Sequence, residues 1–511
     1  MLPILPLLSL FALSLGGSLL LTPLARALAR RWGLVDCPDG RRKLHGGAVP
    51  VSGGLAILAA SVGVLALAAV VPGPLADVLA AKATGLVGLL LGGLTICAVG
   101  VADDFHWLRG RHKVLGQVVA VALVLAFGVR IESVRLFDWH LELGLLAVPF
   151  TVFWLLGAIN ALNLLDGMDG LLGSVAGIIT LALGGMALLQ RDVATAAVAV
   201  ALGGAVLGFL RYNFPPASIF LGDCGSMMIG LVVGALAIQS SLKGPATVAL
   251  AAPTALLIIP IFDTAAAIVR RKLTGRSVYC TDRGHLHHCL LRRGLSIRLA
   301  LLVVSALCLV PVVGVLASVA WSNEALALVS AAAVIATLML TRLFGHAELM
   351  LLHRRIVAVV ASFLARPRGE ARQDAVHLQG SADWGEFWSR LTECAARLDL
   401  RSLSLDVNAP AIQEGYNAVW SRGAGHDDAQ DGEGLWRAEI PLRACGQTVG
   451  RVEVTGVSDG ECVSSKIGAV AALVAEIEEA VCGLVVRRDA APYRPAGHPH
   501  RNGALERAST T

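Results

Sequence analysis

The sequence predicts an all-α polytopic membrane protein of about eleven transmembrane helices, with a small cytoplasmic α+β domain at its C-terminal end. Three observations carry that prediction. Hydrophobic residues fill 56% of the 511 positions and charged residues 15%, with a mean hydropathy of +0.70, whereas an ordinary soluble domain is about 25% charged. The apolar residues gather into runs of about 20, the length that crosses a bilayer. After about Phe344 such runs cease, and Arg, Asp, Glu and Trp become frequent.

Taken in order, the runs lie at about 3–21, 50–71, 84–102, 113–129, 143–163, 171–189, 194–211, 218–239, 246–268, 298–319 and 324–343. The first lacks a basic n-region and a small-residue cleavage site, so it reads as a retained span rather than a signal peptide. Basic residues alternate between the connections. One set holds Arg26, Arg30, Arg31, Arg41, Arg42 and Lys43, then Arg109, Arg111 and Lys113, then a cluster from Arg270 to Arg293; the other holds Lys82, Arg130, Arg135, Arg191 and Lys243. The positive-inside rule puts the rich set in the cytoplasm, the N-terminus outside and the C-terminal region inside, in the cell inner membrane. A net charge of +5 spread in this way does not imply nucleic acid. The ten cysteines form no CxxC pair, which fits a reduced, cytoplasm-facing protein.

Four regions follow: a transmembrane domain 1–345, a basic linker 346–380, an α+β domain 381–487 and a disordered tail 488–511. In the third, Trp384 to Leu398 reads as a helix, Arg401 to Val407 as a strand, Trp436 to Leu442 and Thr448 to Val454 as a hairpin, and Ile467 to Val486 as a helix. It contains no nucleophile, metal or phosphate motif.

The chemistry lies where polar residues interrupt the spans. Asn160, Asn163, Asp166 and Asp169 recur at three-residue steps at the end of the fifth run, so they line one face while the helix lasts. Ionisable groups at such depth mark a functional site, and hard oxygens suit a divalent cation. With the topology drawn, the other unusual residues fall on the same side: Asp36 to His45, Asp103-Asp104 to Gln117, Phe220 to Ser226, and Asp263 with Asp282 to His288. Asp103-Asp104 alone is explained equally well by a solvated acidic loop; if buried, the pair needs a partner such as Lys113 or Mg²⁺. Asp223, between Gly222 and Gly225, is better placed for a metal-bound phosphate at a helix start. Cys280, His285, His287, His288 and Cys289 are zinc-ligand types, but their spacing fits no closed tetrahedral template. Histidines in a basic loop suit phosphate contact better.

Together these segments resemble the polyprenyl-phosphate N-acetylhexosamine-1-phosphate transferase family over about residues 20–345. The motifs at Asp103-Asp104, Asn160 to Gly170, Phe220 to Ser226 and His285-Leu-His287-His288 occur in the family's order. The interrupted histidine motif and the Lys43-Leu-His45 loop are similar to the branch that uses UDP-N-acetylglucosamine. Phospho-N-acetylmuramoyl-pentapeptide transferase, the peptidoglycan alternative, has three consecutive histidines. Departures are a first loop one residue longer than the common pattern and Gly284 where Gln is frequent.

The resemblance implies a Mg²⁺ site, with Mn²⁺ as an alternative, on Asp223 and Asn163. It implies that Asp169 and Phe220 hold uracil, Lys113 binds phosphate, Asp166 supports the metal-nucleotide centre, and Asp103 and Asp104 position or deprotonate the lipid phosphate. His285, His287, His288 and Arg283 would contact the sugar diphosphate, with Lys43 and His45 also binding substrate. The implied partners are a UDP-N-acetylhexosamine, undecaprenyl phosphate, the lipid bilayer and, as an open option, a second copy of the chain. Two rivals of other classes are an ion-coupled transporter and a scaffold with an inactive transferase half. A transporter would gather charges near the midplane; here they gather at one face.

Overall fold

In lipid, backbone polar groups must be satisfied within the segment, so a chain of long apolar runs folds as helices. The computed structural model describes residues 4–36, 48–137, 139–240, 242–244, 247–249, 251–273, 284–364, 372–379, 384–409, 414–422, 435–444, 447–458 and 463–489. Contacts divide the chain into two units, Met1–Val359 and Val360–Thr511.

The first unit runs α1 (Ile4–Arg31), β1 (Val35–Asp36), β2 (Val49–Pro50), α2 (Gly53–Val70), α3 (Pro74–Ala81), α4 (Ala83–Asp104) and α5 (Gly110–Ala126). It continues through β3 (Ser133–Leu136), β4 (Trp139–Glu142), α6 (Ala147–Leu165), α7 (Leu171–Leu189), α8 (Val193–Asn213), α9 (Gly222–Gln239), β5 (Leu242–Gly244) and β6 (Thr247–Ala249). Then come α10 (Ala251–Leu256), α11 (Ile258–Leu273), α12 (Leu286–Arg292), α13 (Ile297–Ala320), α14 (Glu324–Leu340) and α15 (His346–Leu364).

The predicted count of eleven spans is not confirmed. Among the described residues eight helices are long and apolar enough to cross a membrane: α1, α2, α4, α6 with its preceding turn, α7, α8, α9 and α13. Helices α5 and α14 have 17 residues each. The predicted run 246–268 is β6, α10 and α11 in succession. Pro253 and Pro260 each lie in the first turn of a short helix, where proline starts a helix but cannot continue one. Averaged hydropathy does not register that break.

Helices α7, α8 and α9 form the buried centre, whereas α1, α2 and α13 keep one apolar side outward. Leu5, Leu20 and Val70 are exposed there, as lipid-facing residues would be. The closest packing is made by glycines. A Cβ built on Gly54 of α2 would lie 2.3 Å from the Cα of Gly225, and one on Gly100 of α4 would lie 2.3 Å from the Cα of Cys224. Both meet the first turns of α9 backbone to backbone.

Strands absent from the predicted reading of this unit form a four-stranded sheet, order β4-β3-β6-β5, with β3 parallel to β6. The sheet follows the C-terminal ends of α5 and α9, so it marks one end of the bundle. Phe137 N donates to Glu324 Oε2 at 2.8 Å, tying that end to the start of α14.

The second unit contains β7 (Arg372–Gln379), α16 (Trp384–Arg397), β8 (Ser402–Ala409), β9 (Glu414–Ser421), β10 (Leu435–Ala444), β11 (Gln447–Val457) and α17 (Val463–Asp489). Its antiparallel sheet has the order β10-β11-β8-β9-β7. Leu403, Leu405 and Val407 alternate on β8 and, with Tyr416, Ala418 and Trp420 of β9, form a core with Trp388 and Leu391 of α16 and Val470 and Val474 of α17. Within 346–380, expected to be linker, the described residues form α15 and the sheet's edge strand β7. Most of the predicted tail, residues 490–511, lies outside the described residues.

Candidate active site

At the end of the bundle away from the four-stranded sheet, α4 and α6 finish while α5 and α9 begin. A short connection returns the chain from α4 into α5, so Asp103 and Lys113 face each other across it. Lys113 Nζ lies 2.8 Å from Asp103 Oδ2 and 3.0 Å from Asp223 Oδ2. Asn163 Nδ2 donates to Asp223 Oδ1 and, at 2.8 Å, to Ser226 Oγ. Its carbonyl oxygen makes no hydrogen bond among the described residues. Asp104 turns to the backbone: it accepts from Asp223 N at 2.9 Å and from Cys224 N at 3.3 Å, capping the first turn of α9. That turn needs Gly222, whose φ is +78° and whose Cβ would approach Asp104 Oδ2 to 2.7 Å.

The opening face of α6 divides in two. Asn160 exchanges hydrogen bonds with Gln117, at 3.0 and 3.3 Å, one turn deeper than the charged groups. Gln117 and Ser226 are site residues that motif reading left without a role; their signal was a polar side chain inside an apolar helix. Asp166 ends α6, and its carboxylate has no hydrogen-bond partner among the described residues. Burial, then the carboxylates of Asp223, Asp104 and Asp169, raise its pKa to about 8. Asp169 Oδ2 accepts from Ala217 N at 2.9 Å, pinning the loop before α9. Phe220 is half-buried, and its backbone bonds with Pro50 and Gly53 fix the base of the loop between β1 and β2 to the start of α9. Lys43 and His45 in that loop lie outside the described residues, as does Arg283.

The histidines are assembled from a different direction. Asp263 of α11, 2% exposed, accepts from Leu286 N and bonds His285 Nδ1, both at 2.9 Å. His287, also 2% exposed, has neither ring nitrogen hydrogen-bonded among the described residues. Burial, with His288 beside it, lowers its pKa to about 3, so it is neutral at physiological pH. It packs on the Asp166–Asp169 loop, since a Cβ on Gly167 would lie 2.6 Å from His287 Nε2. The rings of His287 and His288 are 4.2 Å apart. Gly284, the departure from the usual Gln, lies against Arg270, whose guanidinium carbon would be 2.2 Å from a Cβ there; Arg270 in turn pairs with Glu348 of α15. The structure therefore brings Asp103, Asp104, Lys113, Asn163, Asp166 and Asp223 together, and sets His287 against the loop that joins Asp166 to Asp169.

Asp166 and Asp223 bring carboxylates and Asn163 an amide oxygen to this end of the bundle, hard donors of the kind a divalent cation takes, with Lys113 and Asp103 beside them; among the described residues no three acidic, imidazole or thiol groups are gathered closely enough to enclose a metal by themselves. The raised proton affinity of Asp166 comes first from its burial and then from the neighbouring carboxylates.

Residues 86–241 match glycosyl transferase family 4. The chain is 34% identical over 299 residues to a Bacillus subtilis protein named as a probable undecaprenyl-phosphate N-acetylglucosaminyl 1-phosphate transferase, covering 58% of this chain and 80% of that one. It is 32% identical over 306 residues to the decaprenyl-phosphate N-acetylglucosaminephosphotransferase of Mycobacterium tuberculosis, covering 55% and 74%. The chain belongs to this family. A third member, the undecaprenyl-phosphate alpha-N-acetylglucosaminyl 1-phosphate transferase of Salmonella typhi, is 28% identical over 288 residues, 55% of this chain and 76% of that one. The family region thus includes α4 to α9, the helices that carry the carboxylate cluster.

Proposed function

We propose that this family member transfers N-acetylglucosamine-1-phosphate from UDP-N-acetylglucosamine to undecaprenyl phosphate, releasing UMP. The observation that carries the reading is the Asp103–Lys113–Asp223 bridge beside Asn163 and Asp166, at the end of four apolar helices. The basic connections around it support a cytoplasmic site in the inner membrane, with the N-terminus outside and the C-terminal unit inside. The N-acetylglucosamine named for all three relatives, together with Leu286 interrupting the histidines, favours this sugar over a muramoyl-pentapeptide.

An anionic oxygen of the lipid phosphate attacks the β-phosphorus of the nucleotide sugar. The new P–O bond forms as the bridging P–O bond breaks, and UMP leaves with the electron pair. The nucleophile is already ionised, so no side chain has to remove a proton from it. Lys113 holds anionic oxygen in line, with Asp103 fixing the ammonium and Asp104 fixing the helix start that presents Asp223. Mg²⁺, with Mn²⁺ as a substitute, would be held by Asp223, Asn163 and Asp166 and would neutralise charge on the diphosphate. His285, oriented by Asp263, and His288 contact the sugar diphosphate, while His287 gives that segment its neutral, buried anchor.

The test incubates the purified chain with labelled UDP-N-acetylglucosamine, undecaprenyl phosphate and Mg²⁺. UMP and a labelled lipid should appear together, disappear with a chelator and return with Mn²⁺. UMP release that does not require the polyprenyl phosphate would overturn the proposal.

A further inference from the structure

At the end of the bundle opposite the carboxylate cluster, two chambers of about 310 Å³ each are stacked along the same helices. The outer chamber is walled by Lys82, Thr84, Arg130, Asp192, Thr195 and Gln239. The inner one is apolar, with Leu58, Leu79, Leu90, Leu202 and Val232 among its walls. Ser61, the polar side chain in that described wall, donates its hydroxyl to Ile57 O at 2.8 Å and offers nothing to a ligand.

The two chambers adjoin at the helix ends, where Ala80 and Ala83 of the apolar chamber alternate with Ala81, Lys82 and Thr84 of the polar one and Leu86 is shared; from there the apolar chamber alone runs inward to Gly93 on α4, Leu202 on α8 and Met228 on α9. At 1.5 Å per helical residue, Thr84 to Gly93 is about 14 Å. The result is an amphipathic slot: a polar mouth at the helix ends over an apolar shaft. An apolar shaft gives water no partners and, left empty, forfeits dispersion contacts. Leu67, Val87 and Leu91 are exposed on α2 and α4 beside it, so its flank faces the bilayer.

The charges of the mouth sharpen the choice. Asp192 is occupied by Thr195, whose N and Oγ lie 3.1 and 2.8 Å from its carboxylate. Arg130 pairs with Glu132. Lys82 is matched by no carboxylate among the described residues. Asp192 and Glu132 keep the mouth close to neutral overall, and within it the Lys82 ammonium and the remaining donors of Arg130 are the groups a phosphate would meet beside the shaft.

We propose that this slot binds a glycerophospholipid of the leaflet opposite the carboxylate cluster, its phosphate at Lys82 and Arg130 and an acyl chain in the shaft. The lipid would brace the far ends of α4 and α9, the helices that carry Asp103, Asp104 and Asp223 at their other ends. The inference requires that the chain span a membrane and is independent of the transfer chemistry.

The test uses the whole chain extracted in mild detergent. Nothing lies within 4 Å of a Cβ built on Gly93, so Gly93→Leu fills the shaft without displacing backbone; Lys82→Ala removes the phosphate partner. Glycerophospholipid retained per protein is measured by mass spectrometry, and the rise in melting temperature is measured on adding phosphatidylglycerol or inorganic phosphate. Both variants should retain about tenfold less phospholipid and lose the thermal gain from phosphatidylglycerol, with a monodisperse elution profile and a cooperative thermal melt as the check on folding. Inorganic phosphate alone should give no gain. Wild-type retention in both folded variants would overturn the proposal, as would protection by inorganic phosphate alone or retention of polyprenyl phosphate in place of phospholipid. If Gly93→Leu fails to fold, Lys82→Ala decides by the same two readouts.

Discussion

The carboxylate cluster and the histidine cluster meet at one loop, residues 166–170, yet they are held by opposite means. In the first, charge is matched with charge: Lys113 between Asp103 and Asp223, Asn163 on Asp223, Asp104 on two backbone N–H groups. In the second, His285 is fixed by the carboxylate of Asp263, and His287 is buried with no hydrogen bond to either nitrogen among the described residues. An unsatisfied buried polar group costs about 1–3 kcal/mol. The first cluster is therefore pre-organised by partners of its own, whereas packing against Gly167 positions the second. One should fail when a charge is removed, the other when a methyl group is added.

The largest effect is expected from Asp223→Asn, which keeps the shape but removes the charge that faces Lys113 and the proposed cation. UMP release should fall by about 10³ or more, and near wild-type turnover would dissolve the distinction between the clusters. Gly167→Ala tests the other side. Its new Cβ would press on His287 Nε2 at 2.6 Å without touching a carboxylate, and turnover should fall roughly tenfold to a hundredfold by misplacement alone. Retention of full activity would show that the histidine segment need not sit against this loop.

A smaller loss is expected from Asp104→Asn. An amide can accept one of the two α9 N–H groups but not both, so the helix start should lose about 1 kcal/mol, read as a lower melting temperature and a turnover reduced several-fold. A collapse as large as that of Asp223→Asn would instead place Asp104 among the groups that touch substrate. The last effect is a pH dependence, read in stability and expected to leave turnover at neutral pH unchanged. His287 has its pKa lowered from 6.5 to about 3 in the fold, so the unfolded chain takes up the proton first. Its contribution is complete above pH 6.5 and is lost as pH falls towards 3. Between pH 6.5 and 5 the loss is about 2 kcal/mol; thermal melts should show it in the wild type and not in His287→Leu.

Hydropathy carried most of the membrane unit, because burial in lipid and burial in protein demand the same apolar runs. It failed at 246–268, where two prolines divide a run whose average is still apolar, and at β3 to β6, whose short strands look like span ends. Asp103, Lys113, Asn163 and Asp223 were legible because charge inside an apolar segment is expensive. The capping role of Asp104 was not, since the partner N–H groups belong to every residue and leave no mark in sequence. Asp263 was visible as a buried carboxylate, but its grip on His285 spans 22 positions. In the second unit, α16, β8, the β10–β11 hairpin and α17 followed from periodicity; β9 was missed because Glu414, Gly415 and Asn417 obscure the alternation.

The backbone contacts of Gly54 and Gly100 with the start of α9 bear on how this protein can diversify. Where a side chain obstructs a larger neighbour, a second mutation can make room; here the obstructing atoms are the Cα and N of Gly225 and Cys224, which no codon can shorten. The route to any other residue at 54 or 100 runs through a displaced α9, and with it a displaced Asp223. These two positions form a dead end in sequence space.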